Sequence, residues 1–159
     1  MTFTPEDQRV AEAVVHAMMS RDAFSQWLGI EVLEIAPARS TCRMRVREEM
    51  VNGFGVTHGG IAFSLADSAF AFACNTHGKV TVSIENSVTY PAPVHVGDVL
   101  TAVAREDAAS GRLSYYSAEV RNQQGQVVAL FRGTAFKTQR NHLEDEPSEF
   151  TRPVLLNDG

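Results

Sequence analysis

The run from His58 to about Thr76 constrains this chain more than any other stretch. Ile61, Ala62, Phe63, Leu65, Ala66, Ala69, Phe70, Ala71, Phe72, Ala73 and Cys74 cover most of the circumference of an α-helix. A helix that is apolar on nearly every side belongs inside a protein. This run is too short to cross a membrane and carries Asp67 in its middle. Something else in the chain must therefore wrap it, and His77-Gly78 ends it.

The remainder reads as the wrapping. Ile30–Ala36 and Ser40–Arg47 are strand-like around a Pro37-Ala38-Arg39 turn. Cys42, Met44 and Val46 alternate with Thr41, Arg43, Arg45 and Arg47, the mark of a strand with one face on a core and the other in water, as in an antiparallel sheet. Four further strand-like runs follow the helix: 80–90, 98–105, 113–121 and 127–137. Short hairpin signals lie at 108–111 and at Asn122-Gln123-Gln124-Gly125. At the other end, Thr4-Pro5-Glu6-Asp7 is a helix start, with a capping hydroxyl, proline in the first turn and acids at the positive end of the dipole. Val10, Val14, Ala17, Met18 and then Phe24 or Trp27 recur at helical spacing. They predict a helix to about Arg21 that docks by this face, with Gly29 closing the region. Helix, two strands, buried helix and four strands make an α+β domain whose open sheet edges favour pairing with a second copy.

The length of 159 residues suits one domain. The pattern places it at 1–138, with an acidic tail at 139–159. The net charge of −5 is concentrated there: residues 141–159 hold five acids and one base. The nearly neutral body argues against nucleic acid as a partner. Cys42 and Cys74 make no disulfide framework, and acids near the N-terminus stand where a signal peptide would carry bases. A cytoplasmic, soluble protein with no membrane partner is expected.

Asp67 is the first candidate for chemistry, because a carboxylate on such a helix is costly unless it is paired or useful. An acid on the one wet side of the helix is the plainer reading, and the sequence leaves both open. Ser64 and Ser68 offer a small polar seam beside it. His58-Gly59-Gly60 is the second candidate. A helix N-terminus offers unpaired amides, and glycines let a ligand reach them. Such a place suits a developing oxyanion, although a glycine-rich entry loop with no ligand gives the same letters. Gly59 and Asp67 are eight residues apart, about 12 Å along a helix axis. One helix cannot easily aim both at one atom, so joint action implies two copies across a twofold interface. The five histidines show no metal-binding spacing, and no nucleotide or nucleophile-elbow motif is present. No cofactor and no metal are expected.

Asn52…His58-Gly59-Gly60…Leu65-Ala66-Asp67, followed by Ala71-Phe72-Ala73-Cys74-Asn75, Pro93…Gly97-Asp98 and Val128-Ala129-Leu130-Phe131-Arg132-Gly133, resembles the PaaI-type acyl-CoA thioesterases of phenylacetate degradation. The resemblance spans roughly residues 5–138. It implies a hotdog fold with the 58–76 helix as the filling, dimers paired through their sheets, and a homotetramer. It implies hydrolysis of an acyl-CoA substrate, in particular (hydroxy)phenylacetyl-CoA. Asp67 would be general base or nucleophile, and the Gly59 amide would polarise the carbonyl. Asn52 and His58 would face Asp67 of the other subunit, with Gly60 and Ser83 at the substrate. Arg39, Arg105, Arg112, Arg132 and Lys137 are the cations available for CoA phosphates. A hotdog enoyl-CoA hydratase or dehydratase and a non-enzymatic acyl-CoA sensor are the alternatives. A hydration assay separates the first, and binding without thiol release the second.

Overall fold

The structure is a computed structural model and describes residues 2–144. Six antiparallel strands form one sheet: β1 (Glu31–Ala36), β2 (Arg39–Arg45), β3 (Lys79–Thr89), β4 (Val99–Ser110), β5 (Leu113–Arg121) and β6 (Val127–Asn141). Their order across the sheet is β1-β2-β4-β5-β6-β3. Helix α3 (Gly59–Asn75) lies in the curve and packs on β2 through β6. This is the hotdog arrangement, with the buried helix as the filling.

Two helices precede the sheet, α1 (Pro5–Met19) and α2 (Ala23–Leu28). Thr4 Oγ1 accepts the Asp7 N–H, and Asp7 Oδ2 accepts the Thr4 N–H, a reciprocal cap that satisfies two donors a helix start leaves over. The single helix expected to about Arg21 is instead broken. Asp22 Oδ1 accepts the Ser25 N–H at 2.9 Å and starts α2, which Gly29 ends in the left-handed region at φ 74°. The break turns Phe24 and Trp27 outward, correcting their expected docking. Both are about half exposed, and their rings stack with centroids 6.1 Å apart. Arg47 donates to the Leu28 and Trp27 carbonyls and lies over the Trp27 ring, using cationic donors where a helix end leaves acceptors. The docked face of α1 is Ala11, Val14 and Val15.

On β2 the alternation holds, with Ser40, Cys42 and Met44 buried and Arg39 and Arg45 exposed. β4 continues to Ser110 and β6 to Asn141, past the expected ends. The extra length of β4 crosses a bulge between Glu106 and Ala108, where the alternating pattern is lost. Inside the sheet, Phe70 packs edge-on to Tyr116 at 5.5 Å and against Phe131 at 5.4 Å. Gly133 on β6 makes room for this: a Cβ there would stand 2.8 Å from the Phe70 ring. No helix among the described residues is long and apolar enough to cross a membrane. The acidic tail falls mostly outside the described residues.

Candidate active site

Helix α3 carries the candidate groups at its N-terminus and middle. Helix α3 begins one residue later than its sequence pattern suggests, because His58 is its cap. The His58 N–H donates to Met50 O, and its Nδ1 accepts the Gly60 N–H at 3.1 Å. With Nδ1 accepting, the neutral ring carries its proton on Nε2 and can donate outward. Gly60 N–H is thus spent within the chain, and Ile61 N–H goes to His58 O. Gly59 N–H is the first-turn amide that takes no acceptor among the described residues. Its carbonyl accepts the Tyr90 hydroxyl at 2.8 Å, and a Cβ on Gly59 would meet the Tyr90 ring at 3.2 Å. Glycine at this position therefore keeps both the amide and the aromatic wall in place.

Asn52 shapes the loop leading in. Its Oδ1 accepts the Phe54 N–H at 2.8 Å, its backbone N–H donates to Val56 O, and its carbonyl accepts from Gly55. A small cavity of about 80 Å³ opens beside Gly59, lined by Thr57, His58, Tyr90, Pro93 and Val94 among others. Thr57 Oγ1 is buried there without a hydrogen-bond partner among the described residues.

Asp67 sits two turns on, half-buried between buried neighbours Ala66 and Ser68. Asn86 Nδ2 donates to Asp67 Oδ1 at 3.0 Å, and Asn86 Oδ1 accepts the Ser83 hydroxyl at 2.8 Å. A hydroxyl donating to the amide oxygen fixes which end of Asn86 faces the carboxylate. Asp67 Oδ2 accepts no hydrogen bond among the described residues. Burial pushes the Asp67 carboxyl above its ordinary range, the Asn86 bond offsets part of this, and the negative charge of Asp22 adds to the rise.

The chain does not bring its two groups of candidates together. Ser83 reaches Asp67 through Asn86, while Asn52, His58, Gly59 and Gly60 cluster at the far end of the same helix. Asn86 was invisible to sequence reasoning. Ser83 and Asn86 are three apart, which in a regular strand puts them on opposite faces. A bulge between Ser83 and Glu85 returns them to one face, opposite Ala135 and Gly133.

No group of three or more His, Cys, Asp or Glu able to hold a metal occurs among the described residues. On the outer face of the sheet, Arg39, Arg105 and Arg132 line an open hollow of about 920 Å³ together with Asp107 and Glu119. The other two candidate cations, Arg112 and Lys137, are not in this lining.

A family model described as the thioesterase superfamily matches residues 54–129. The acyl-coenzyme A thioesterase PaaI of Escherichia coli K12 is 38% identical over 77% of this chain and 87% of its own length. The chain belongs to the thioesterase superfamily. A putative esterase of Archaeoglobus fulgidus is 35% identical over 87% of this chain and 90% of its own length. In structure, the E. coli PaaI protein from the phenylacetic acid degradation operon superposes with a TM-score of 0.82 at 36% identity, covering 84% of this chain and 97% of that one. The matched thioesterase segment includes the helix N-terminus, Asp67, Ser83 and Asn86, while Asn52 lies just before it.

Proposed function

We propose that this protein hydrolyses acyl-CoA thioesters with Asp67 as general base, and that (hydroxy)phenylacetyl-CoA is its substrate class. The observation that carries the reading is the Asp67 carboxylate: one oxygen held by Asn86, the other accepting no hydrogen bond among the described residues, and no cation of the described residues acting on it. In a thioesterase this is a base in waiting. The water gives its proton to Oδ2 as its oxygen attacks the thioester carbon. The carbonyl oxygen takes up negative charge at the Gly59 N–H, where donor and dipole are already aligned. The C–S bond then breaks, and the thiolate takes from Asp67 the proton that the water gave up, while His58 Nε2–H can donate a hydrogen bond without losing its proton. A thiol with a pKa of roughly 8.5, by analogy with cysteine, leaves without a metal's help.

The roughly 12 Å between Gly59 and Asp67 along one helix supports a site built by two copies, Asp67 of one subunit facing Asn52, His58 and Gly59 of the other. Strand β3 is the open edge next to Asp67, and it exposes Val82 and Ile84, an arrangement suited to pairing. The tetramer and the domain boundary near 138 belong to the same proposal. The resemblance to the E. coli thioesterase supports the arylacetyl group.

Asp67→Asn tests the base directly. It should cost on the order of 10³-fold in kcat on phenylacetyl-CoA, and parental activity would refute the role. Single turnover in ¹⁸O water should place label in the acid product and none in Asp67. Mixing Asp67→Asn chains with Gly59→Val chains should restore part of the activity, since one site in each mixed dimer is then intact. A panel of acyl-CoAs ranks the acyl group.

A further inference from the structure

A buried polar seam runs between α2 and α3 next to Asp67. The Ser25 hydroxyl donates to Asp22 Oδ2 at 2.5 Å, and Ser25 Oγ lies 2.8 Å from Ser68 Oγ. Ser25 spends its one proton on Asp22, so Ser68 is the donor in the second bond. Both hydroxyl protons therefore point towards Asp22. Ser25 is fully buried and Ser68 is 9% exposed, so the seam is sheltered from water. The Ser25 N–H also binds Asp22 Oδ1, and both carboxylate oxygens are held. The result is a negative charge tied by two hydrogen bonds to Ser68, the neighbour of Asp67 on α3, from a residue far from both in sequence.

We propose that Asp22 is a positioning residue for hydrolysis, a carboxylate tied through the Ser25 and Ser68 hydroxyls to the Asp67 turn of α3 so that its charge bears on the Asp67 carboxylate. The inference rests on Asp67 being the base. A helix cap needs only an acceptor, and asparagine or serine would serve as well. The charge is the part that capping does not require. It reaches Asp67 across a half-buried setting, where like charges repel more than in water. The groups acting on Asp67 are burial first, then Asn86 from β3, then Asp22 from α2, with no cation of the described residues among them. A base with greater proton affinity takes the water's proton more readily at neutral pH.

Two substitutions separate charge from capping, because the two roles rank them in opposite order. Asp22→Asn keeps an acceptor for the Ser25 amide and removes the charge. Asp22→Glu keeps the charge on a side chain that caps poorly. The pH profile of kcat/KM and a carbon-13 NMR titration of the Asp67 carboxyl are measured for each with the full chain. With Asp22→Asn, the acid limb and the Asp67 midpoint should move together to lower pH, with thermal stability kept and a lower plateau rate. With Asp22→Glu, both should stay near the parental position while thermal stability falls. An Asp22→Asn profile superimposable on the parent would overturn the proposal, as would a Glu variant shifted like the Asn variant. The Asp67→Asn control distinguishes the levels. If it remains active, the base assignment fails; if it is inactive and Asp22→Asn does not shift the titration, only the role of Asp22 fails.

Discussion

The two ends of α3 treat their polar groups in opposite ways. At the C-terminal end the side-chain polar groups of Asn75 and Thr76 are spent. Asn75, 2% exposed, donates to the Ala71 and Thr81 carbonyls, accepts the Thr81 N–H at 2.8 Å, and has His142 Nε2 2.6 Å from its oxygen. Thr76 closes on Ala73 O and receives the Ala38 N–H. At the N-terminal end, the Gly59 amide and the Thr57 hydroxyl have no partner among the described residues, next to a cavity and an exposed loop whose Phe54 is 92% exposed. A buried donor or acceptor without a partner costs about 1–3 kcal/mol. The closed end therefore anchors the helix, and the open end keeps capacity that a ligand or a second chain can use.

The sharpest way to break this contrast is Asn75→Ala. It orphans the Thr81 backbone groups and should cost about 3 kcal/mol of stability, read by denaturant unfolding, while kcat/KM at 25 °C stays near parental. A comparable loss of activity in the folded variant would show that the closed end is not merely an anchor. Next comes Gly59→Ala. The new methyl presses on Tyr90 and should lower kcat/KM about 10-fold, equivalent to about 1.4 kcal/mol, with little change in Tm. A large Tm loss would mean the open end carries the fold as well.

Smaller effects come from pH. Burial, reinforced by Lys137, lowers His77 to about 4 from its ordinary 6.5, and burial lowers His142, with Arg21 adding. The unfolded chain therefore takes up these protons first. This stability is whole above pH 6.5 and drains as pH falls towards 4. The His77 residue is exposed at its surface, which keeps the effect modest. A His77→Gln variant should show a flatter melting curve against pH over that window. Asp67 has the opposite sign: its raised carboxyl favours the folded state when protonated, and this stability is lost as pH rises from 3.8 through the raised value. Asp67→Asn should thus melt slightly above the parent at pH 7, and a lower Tm would show that the charge is compensated.

Much of this was legible beforehand because it depends on periodicity. The all-round apolarity of 61–74 required a wrapped helix, and the Cys42, Met44, Val46 alternation gave a one-faced strand. The spacing of Gly59 and Asp67 gave their separation. What escaped were contacts that break period. Asp22 restarts the chain between Met19 and Ala23, so Phe24 and Trp27 leave the docked face that their spacing suggested; an acid three residues before Ser25 was the available signal. The Ser25–Ser68 bond joins residues 43 apart, and Asn86 lies on the wrong parity until the backbone slips.

That slip in β3 is a phase shift. Ile84 is one residue more than the neighbouring strand can match, since Ser83 pairs with Ala135 and Glu85 with Thr134. Match it with one residue inserted in β6 between Thr134 and Ala135 and the two strands run in even step, with Ser83 and Asn86 three apart on opposite faces and the amide no longer held by Ser83 against Asp67 Oδ1. The aim of the carboxylate is thus written in a difference of residue counts between two strands, and a single-residue insertion in β6 is a coarser threat to this enzyme than most exchanges of side chain.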